Sequence, residues 1–176
     1  IKKENYLLCI GRLEKIKGFH YAIEAFAGIA DNYPNLRLKI VGKGSQEKNL
    51  KQKAIEHSVS DRIDFEGFKK DIIPYYLHAR VTILPSLYEG YPNVLIESIS
   101  MNTPVIAFDC PSGPNEIILD GRNGYLVKNQ DVNDLRKKML NFPYDKFIYK
   151  DLVNSIKKNH IEKVFNQYEK LINSLD

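Results

Sequence analysis

The chain has 176 residues, 43% hydrophobic and 27% charged, enough for one domain with a proper core and too few for two comfortable ones. Its apolar residues come in short runs divided by Gly, Pro and Lys, none approaching the ~20 residues of a membrane-spanning helix. The net charge is +4 with lysines spread along the chain, which leaves no footprint for duplex nucleic acid but keeps attraction to phosphate or anionic lipid open.

The chain opens Ile1-Lys2-Lys3-Glu4-Asn5 and enters the apolar run Tyr6–Ile10, which Gly11-Arg12 ends well short of a secretory signal. An apolar run this early, without Met at residue 1, reads as a cut made upstream of an existing domain, so a fragment is expected. Further aliphatic runs recur at 36–41, 62–65, 81–84 and 104–108, with helical-period segments between most of them. That alternation predicts parallel strands linked by helices. The first helix should begin near Gly18, carry Ile23, Phe26, Ala27 and Ala30 on one face, and end before Pro34-Asn35. A second is expected over 46–57, and a third over 71–79 with Pro74 in its opening turn, where proline is tolerated.

Pro85 stops the strand Val81-Thr82-Ile83-Leu84, and after a loop containing Glu89-Gly90 a fourth helix is predicted to start at Pro92 and run to about Met101. Thr103-Pro104 opens the fifth strand. The turn-rich Asp120-Gly121-Arg122-Asn123-Gly124 leads to a short strand at 125–127, a helix over 131–140 and polar helices through 152–175. The predicted architecture is a Rossmann-like α/β/α sandwich with a parallel sheet ordered 3-2-1-4-5, a short sixth strand at the edge, and a helical tail. Residues 1–143 form the domain in this reading. Residues 144–176, richer in Lys and Asn, form a tail that wraps the outside or contacts a neighbouring domain instead of building the core.

The chemistry concentrates in Pro85-Ser86-Leu87-Tyr88-Glu89-Gly90-Tyr91-Pro92-Asn93-Val94-Leu95-Ile96-Glu97, where two carboxylates flank a strand-to-helix junction. Ligands of open α/β sheets lie beyond the carboxyl ends of the strands, and a helix starting near Pro92 aims unpaired N–H groups and a positive dipole end into that crevice, as a diphosphate requires. Glu97 sits about one and a half turns into the helix. It falls on the polar side with Ser100, away from Val94, Leu95 and Ile99. A nucleotide-sugar carries hydroxyls at both ends and the diphosphate between them, so two spaced acceptors around a helix N-terminus match its outline. For an isolated pair of glutamates the plainer reading, a loop residue and a solvated helix residue, would prevail.

The surrounding residues change that balance. Glu89-Gly90-Tyr91-Pro92 with Glu97 resembles the signature of the group 1 GT-B glycosyltransferases, and Gly11-Arg12-Leu13 with Lys17-Gly18 resembles a second feature of the same family. The resemblance extends from about Tyr6 to Val127 and takes in Val41-Gly42-Lys43-Gly44, Glu66-Gly67-Phe68, Thr103-Pro104-Val105 and Asn123-Gly124. It implies that Arg12 and Lys17 hold the diphosphate beside Gly11, that Glu89 contacts the transferred sugar, and that Glu97 accepts hydrogen bonds from the ribose. Backbone groups of Gly90, Tyr91, Pro92, Asn93 and Val94 complete the cradle. Phe68 and Lys69 are candidates for the base pocket, with ordinary core as the equal alternative for Phe68. The resemblance further implies retention of anomeric configuration, no bound metal and no cofactor besides the donor, for which UDP is the expected nucleotide. An N-terminal domain would bring a glycan or lipid-linked acceptor, so the chain alone should bind donor weakly and transfer nothing.

Cys110-Pro111-Ser112-Gly113-Pro114-Asn115-Glu116 looks like members that build bacterial surface polysaccharide, lipopolysaccharide or teichoic acid, which implies a cytoplasmic enzyme with peripheral membrane association as an option. Other signals are weak. Gly42-Lys43-Gly44-Ser45 lacks both P-loop spacing and a third dinucleotide glycine, because Glu47 stands there. Cys9 and Cys110 form no CxxC and have no nearby His, so zinc and disulfides are not suggested and a reducing compartment fits. His20, His57, His78 and His160 are scattered. The rival functions are a GT-B epimerase or phosphorylase-like enzyme and a non-catalytic nucleotide-binding or interaction module.

Overall fold

A computed structural model describes residues 2–143 and 146–156. Six parallel strands run in the order β3-β2-β1-β4-β5-β6: β1 (Tyr6–Ile10), β2 (Arg37–Val41), β3 (Ile63–Gly67), β4 (Val81–Leu84), β5 (Val105–Phe108) and β6 (Gly124–Val127). Both the predicted order and the edge position of the sixth strand are observed. β1 pairs with β2 from Tyr6↔Arg37 to Ile10↔Val41 and with β4 at Leu7↔Val81, so the carboxyl ends of β1 and β4 are neighbours.

Side-chain alternation divides the core between the two faces of the sheet. Leu7, Cys9, Leu38, Ile40, Val81, Ile83, Ile106 and Phe108 pack with α1 (Phe19–Ala27), α2 (Glu47–Glu56) and α6 (Val132–Leu140). The opposite face carries α3 (Ile73–His78), α4 (Asn93–Ser100), α5 (Pro114–Ile117) and α7 (Tyr149–Ser155) over Tyr6, Leu8, Ile10, Leu84, Val105 and Ala107. β1, β4 and β5 are buried throughout, which is why their sequences are apolar at consecutive positions.

Several elements differ from expectation. α1 stops at Ala27, where Gly28 weakens the helix, and Ala30 is buried in a separate 3-10 turn at Ala30–Asn32. Pro92 is the residue preceding α4 rather than its first turn, and α5, after Gly113, was not anticipated. The composition of the tail pointed away from the core, yet Leu152 and Ile156, four apart on one helix face, are buried against Leu95, Ile99, Ile117 and Ile118. The polar helices expected further on lie outside the described residues.

Candidate functional site

The site is built where β1 and β4 leave the sheet side by side. After Ile10, the amide of Gly11 still donates to the Val41 carbonyl at 3.0 Å, so the chain emerges in register before Arg12 turns outward. Arg12 is exposed, and its guanidinium makes no hydrogen bond or ion pair with a described residue. A 3-10 turn, Lys15–Lys17, then closes on Gly18, which is left-handed at φ 64°. A Cβ on Gly18 would collide with the carbonyl oxygen of Pro85, so glycine is needed both for the backbone angle and for the approach of the two loops. The amide of Leu87 donates to the Ile16 carbonyl at 2.8 Å and pins the loop after β1 to the loop after β4.

That stitching brings two residues far apart in sequence into contact. Lys17 Nζ donates to Glu89 Oε1 at 2.6 Å, and Glu89 is only 9% exposed. The β5–α5 loop forms a further wall: a Cβ on Gly113, whose φ is 83°, would sit 2.5 Å from Pro92 Cδ and 2.6 Å from the Gly90 carbonyl oxygen. In that loop Cys110 is buried, and its thiol pKa is raised by burial first and by the Glu89 carboxylate second. Ser86 is fully buried at the base of the junction, and its Oγ has no hydrogen-bond partner among the described residues.

Around the entry to α4, Gly90, Tyr91 and Asn93 are exposed, Pro92 is buried and Val94 half-buried. The first amides of a helix have no intrahelical acceptor, and no side chain caps this one. Further along, Glu97 Oε2 accepts a hydrogen bond from the Tyr76 hydroxyl at 2.8 Å, while Oε1 has no partner among the described residues. Glu97 therefore belongs to the same helix as the cradle but is met from α3.

Phe68 and Lys69 follow β3, the strand at the sheet edge, beyond β2 from β1. Phe68 is 68% exposed, which removes the core alternative, and Lys69 lies 3.4 Å from Glu66. These two share the carboxyl edge of the sheet with the other residues but contact none of them in the distances above. A cavity of about 260 Å³ lined by Lys15, His20, Gln46 and Lys53, and one of about 490 Å³ lined by Arg122, Lys146, Asp151 and Ser155, contain none of the predicted site residues. No group of three His, Cys, Asp or Glu that could hold a metal ion occurs among the described residues, and no described helix is long and apolar enough to cross a membrane.

Sequence reasoning did not find Tyr76, Ser86 or Cys110 as site residues. Cys110 had a signal: it follows β5, the neighbour of β4, so topology alone sends it to the same edge. Tyr76 had none, since it comes from a helix that precedes β4.

The sequence model of the family described as glycosyl transferases group 1 matches residues 1–162. A Campylobacter jejuni relative, an alpha-1,4-N-acetyl-D-galactosaminyltransferase acting on a diNAcBac-PP-undecaprenol-linked glycan, is 32% identical over 176 residues, covering 97% of this chain. The chain spans 48% of that relative's length. Staphylococcus aureus TarM, solved with fondaparinux, alpha-GlcNAc-glycerol and UDP, superposes with a TM-score of 0.87 at 24% identity over 98% of this chain and 36% of TarM. The C-terminal domain of LpcC, a glycosyl transferase group 1 family protein of Francisella tularensis, gives a TM-score of 0.78 at 25% identity, covering 92% of this chain and 89% of that domain. With Lys17 and Glu89 in contact where β1 and β4 end and the sequence match running over residues 1–162, the chain belongs to the glycosyl transferases group 1 family.

Proposed function

We propose that this chain is the donor-binding domain of a retaining glycosyltransferase that takes a UDP-sugar and, with an N-terminal domain, passes the sugar to a glycan or lipid-linked acceptor in surface-polysaccharide synthesis. The observation that carries the reading is the Lys17–Glu89 contact of 2.6 Å at the carboxyl ends of β1 and β4. In a nucleotide-sugar the bond that breaks joins the sugar to the diphosphate. A cation assigned to the diphosphate and an acid assigned to the sugar should therefore meet at that bond, and these two do meet.

The leaving nucleoside diphosphate gains negative charge as the bond breaks, so Lys17, Arg12 and the first amides of α4 stabilise the transition state more than the ground state. The charge is met without a metal ion in this reading. Arg12 is exposed and reaches the diphosphate as donor enters; Gly11 lets the chain turn there. Phe68 and Lys69 are assigned to the base end and Glu97 to the ribose between. In this reading the working enzyme is cytoplasmic, held peripherally at the inner membrane face when its acceptor is lipid-linked.

The reading is tested by joining the chain to its N-terminal half and measuring donor consumption with acceptor over UDP-, GDP- and ADP-sugars. Turnover with a UDP-sugar, and none by the 176-residue chain alone, is the expected result. Inactivity across the whole donor panel would instead favour a non-catalytic nucleotide-binding module.

A further inference from the structure

A carboxylate on an exposed helix face samples several rotamers, and each must be frozen before it can receive two ribose hydroxyls. Glu97 is spared part of that cost. Tyr76, 1% exposed, reaches it from α3 and donates its hydroxyl to Oε2 at 2.8 Å, so the acid is held by one oxygen while Oε1 has no partner among the described residues. The phenol is itself rigid. Its ring packs in the cluster of Tyr6, Leu8, Ile10, Val41 and Ala79, and its carbonyl accepts a hydrogen bond from Thr103 Oγ1 at 2.5 Å. Burial and the adjacent carboxylate both push the phenol pKa up, so it remains a donor throughout the working pH range.

We propose that Tyr76 is a positioning residue that fixes the Glu97 carboxylate for the ribose hydroxyls of the donor, acting from α3. The inference rests on the ribose role given to Glu97 above. It makes ribose recognition a two-layer arrangement, in which α3 sets the orientation of a group on α4.

The test measures binding of UDP and of its 2′,3′-dideoxy analogue to the 176-residue chain, the Tyr76→Phe variant, the Glu97→Ala variant and the double variant. Phenylalanine keeps the packed ring, so Tyr76→Phe should melt within a few degrees of the parent. It should weaken UDP by about tenfold, the scale of one hydrogen bond to a charged group, and change the analogue's affinity by less than about twofold. In the Glu97→Ala background it should add nothing. Equal weakening of UDP and the analogue, or no weakening of either, overturns the positioning role. If Glu97→Ala keeps full UDP affinity, the ribose reading itself falls, and the positioning role with it.

Discussion

Lys17 and Glu89 make a contact whose two halves are not equivalent. The Lys17 side chain is 20% exposed and long enough to carry its ammonium into water, whereas the Glu89 side chain is 10% exposed on a short stem. Removing the lysine strands a nearly buried carboxylate; neutralising the acid strands nothing comparable. Lys17→Met should therefore lower stability by about 1–3 kcal/mol and Glu89→Gln by less, checked by chemical denaturation at neutral pH. Equal losses would contradict this asymmetry. Ser86 makes the opposite kind of prediction. Its buried Oγ has no hydrogen-bond partner among the described residues, so Ser86→Ala should leave the ligand-free chain at least as stable as the parent, because no bond is lost and a desolvated hydroxyl is removed. A clear fall in melting temperature would mean that the hydroxyl is satisfied after all.

The loops are where elements become a site. Gly18 combines a left-handed backbone with a position at which any Cβ strikes the Pro85 carbonyl, so Gly18→Ala should cost at least ~1–3 kcal/mol and loosen the loop that presents Lys17. Hydrogen exchange at Leu87, whose amide bonds the Ile16 carbonyl, should accelerate in that variant. Unchanged protection there would show that the two loops are held together by something else. At the β2–β3 edge, Arg37 Nε donates to Asp64 Oδ2 at 2.8 Å, and that hydrogen bond is the main cause of the lowered Asp64 pKa. A depressed carboxylate contributes its stability above the ordinary aspartate value of 3.8 and loses it as pH falls through the folded value. The melting-temperature gap between the parent and Asp64→Asn should accordingly be present at pH 7 and shrink as pH drops below about 4. A gap independent of pH would place the effect in packing. The elements themselves were legible wherever periodicity was strong, as in β1, β4 and α2. They were misjudged where a short turn took over, as at Gly28 and Gly113.

At the scale of the molecule, parallel order and the position of the site followed from one rule: strands alternating with helices build a sheet whose ligands gather at the carboxyl edge. The motif residues Gly11 through Gly18 and Glu89 through Glu97 could be placed on that edge because each abuts a strand end in the sequence. Tyr76 could not, since its approach to Glu97 depends on how α3 and α4 pack on one face, which local pattern does not encode. The burial of Leu152 and Ile156 escaped for a related reason: two apolar side chains in a polar segment give little periodic signal until the surface that receives them is known. The central claim is that Arg12, Lys17 and Glu97 serve one bound ligand, and ligand-induced stabilisation measures it most directly. UDP-sugar at ~100 times its dissociation constant should stabilise the chain by ~2.7 kcal/mol, and Arg12→Ala and Glu97→Ala should each shrink that gain in melting experiments. A gain that persists undiminished in both variants, or that never occurs with any nucleotide-sugar, would contradict the account.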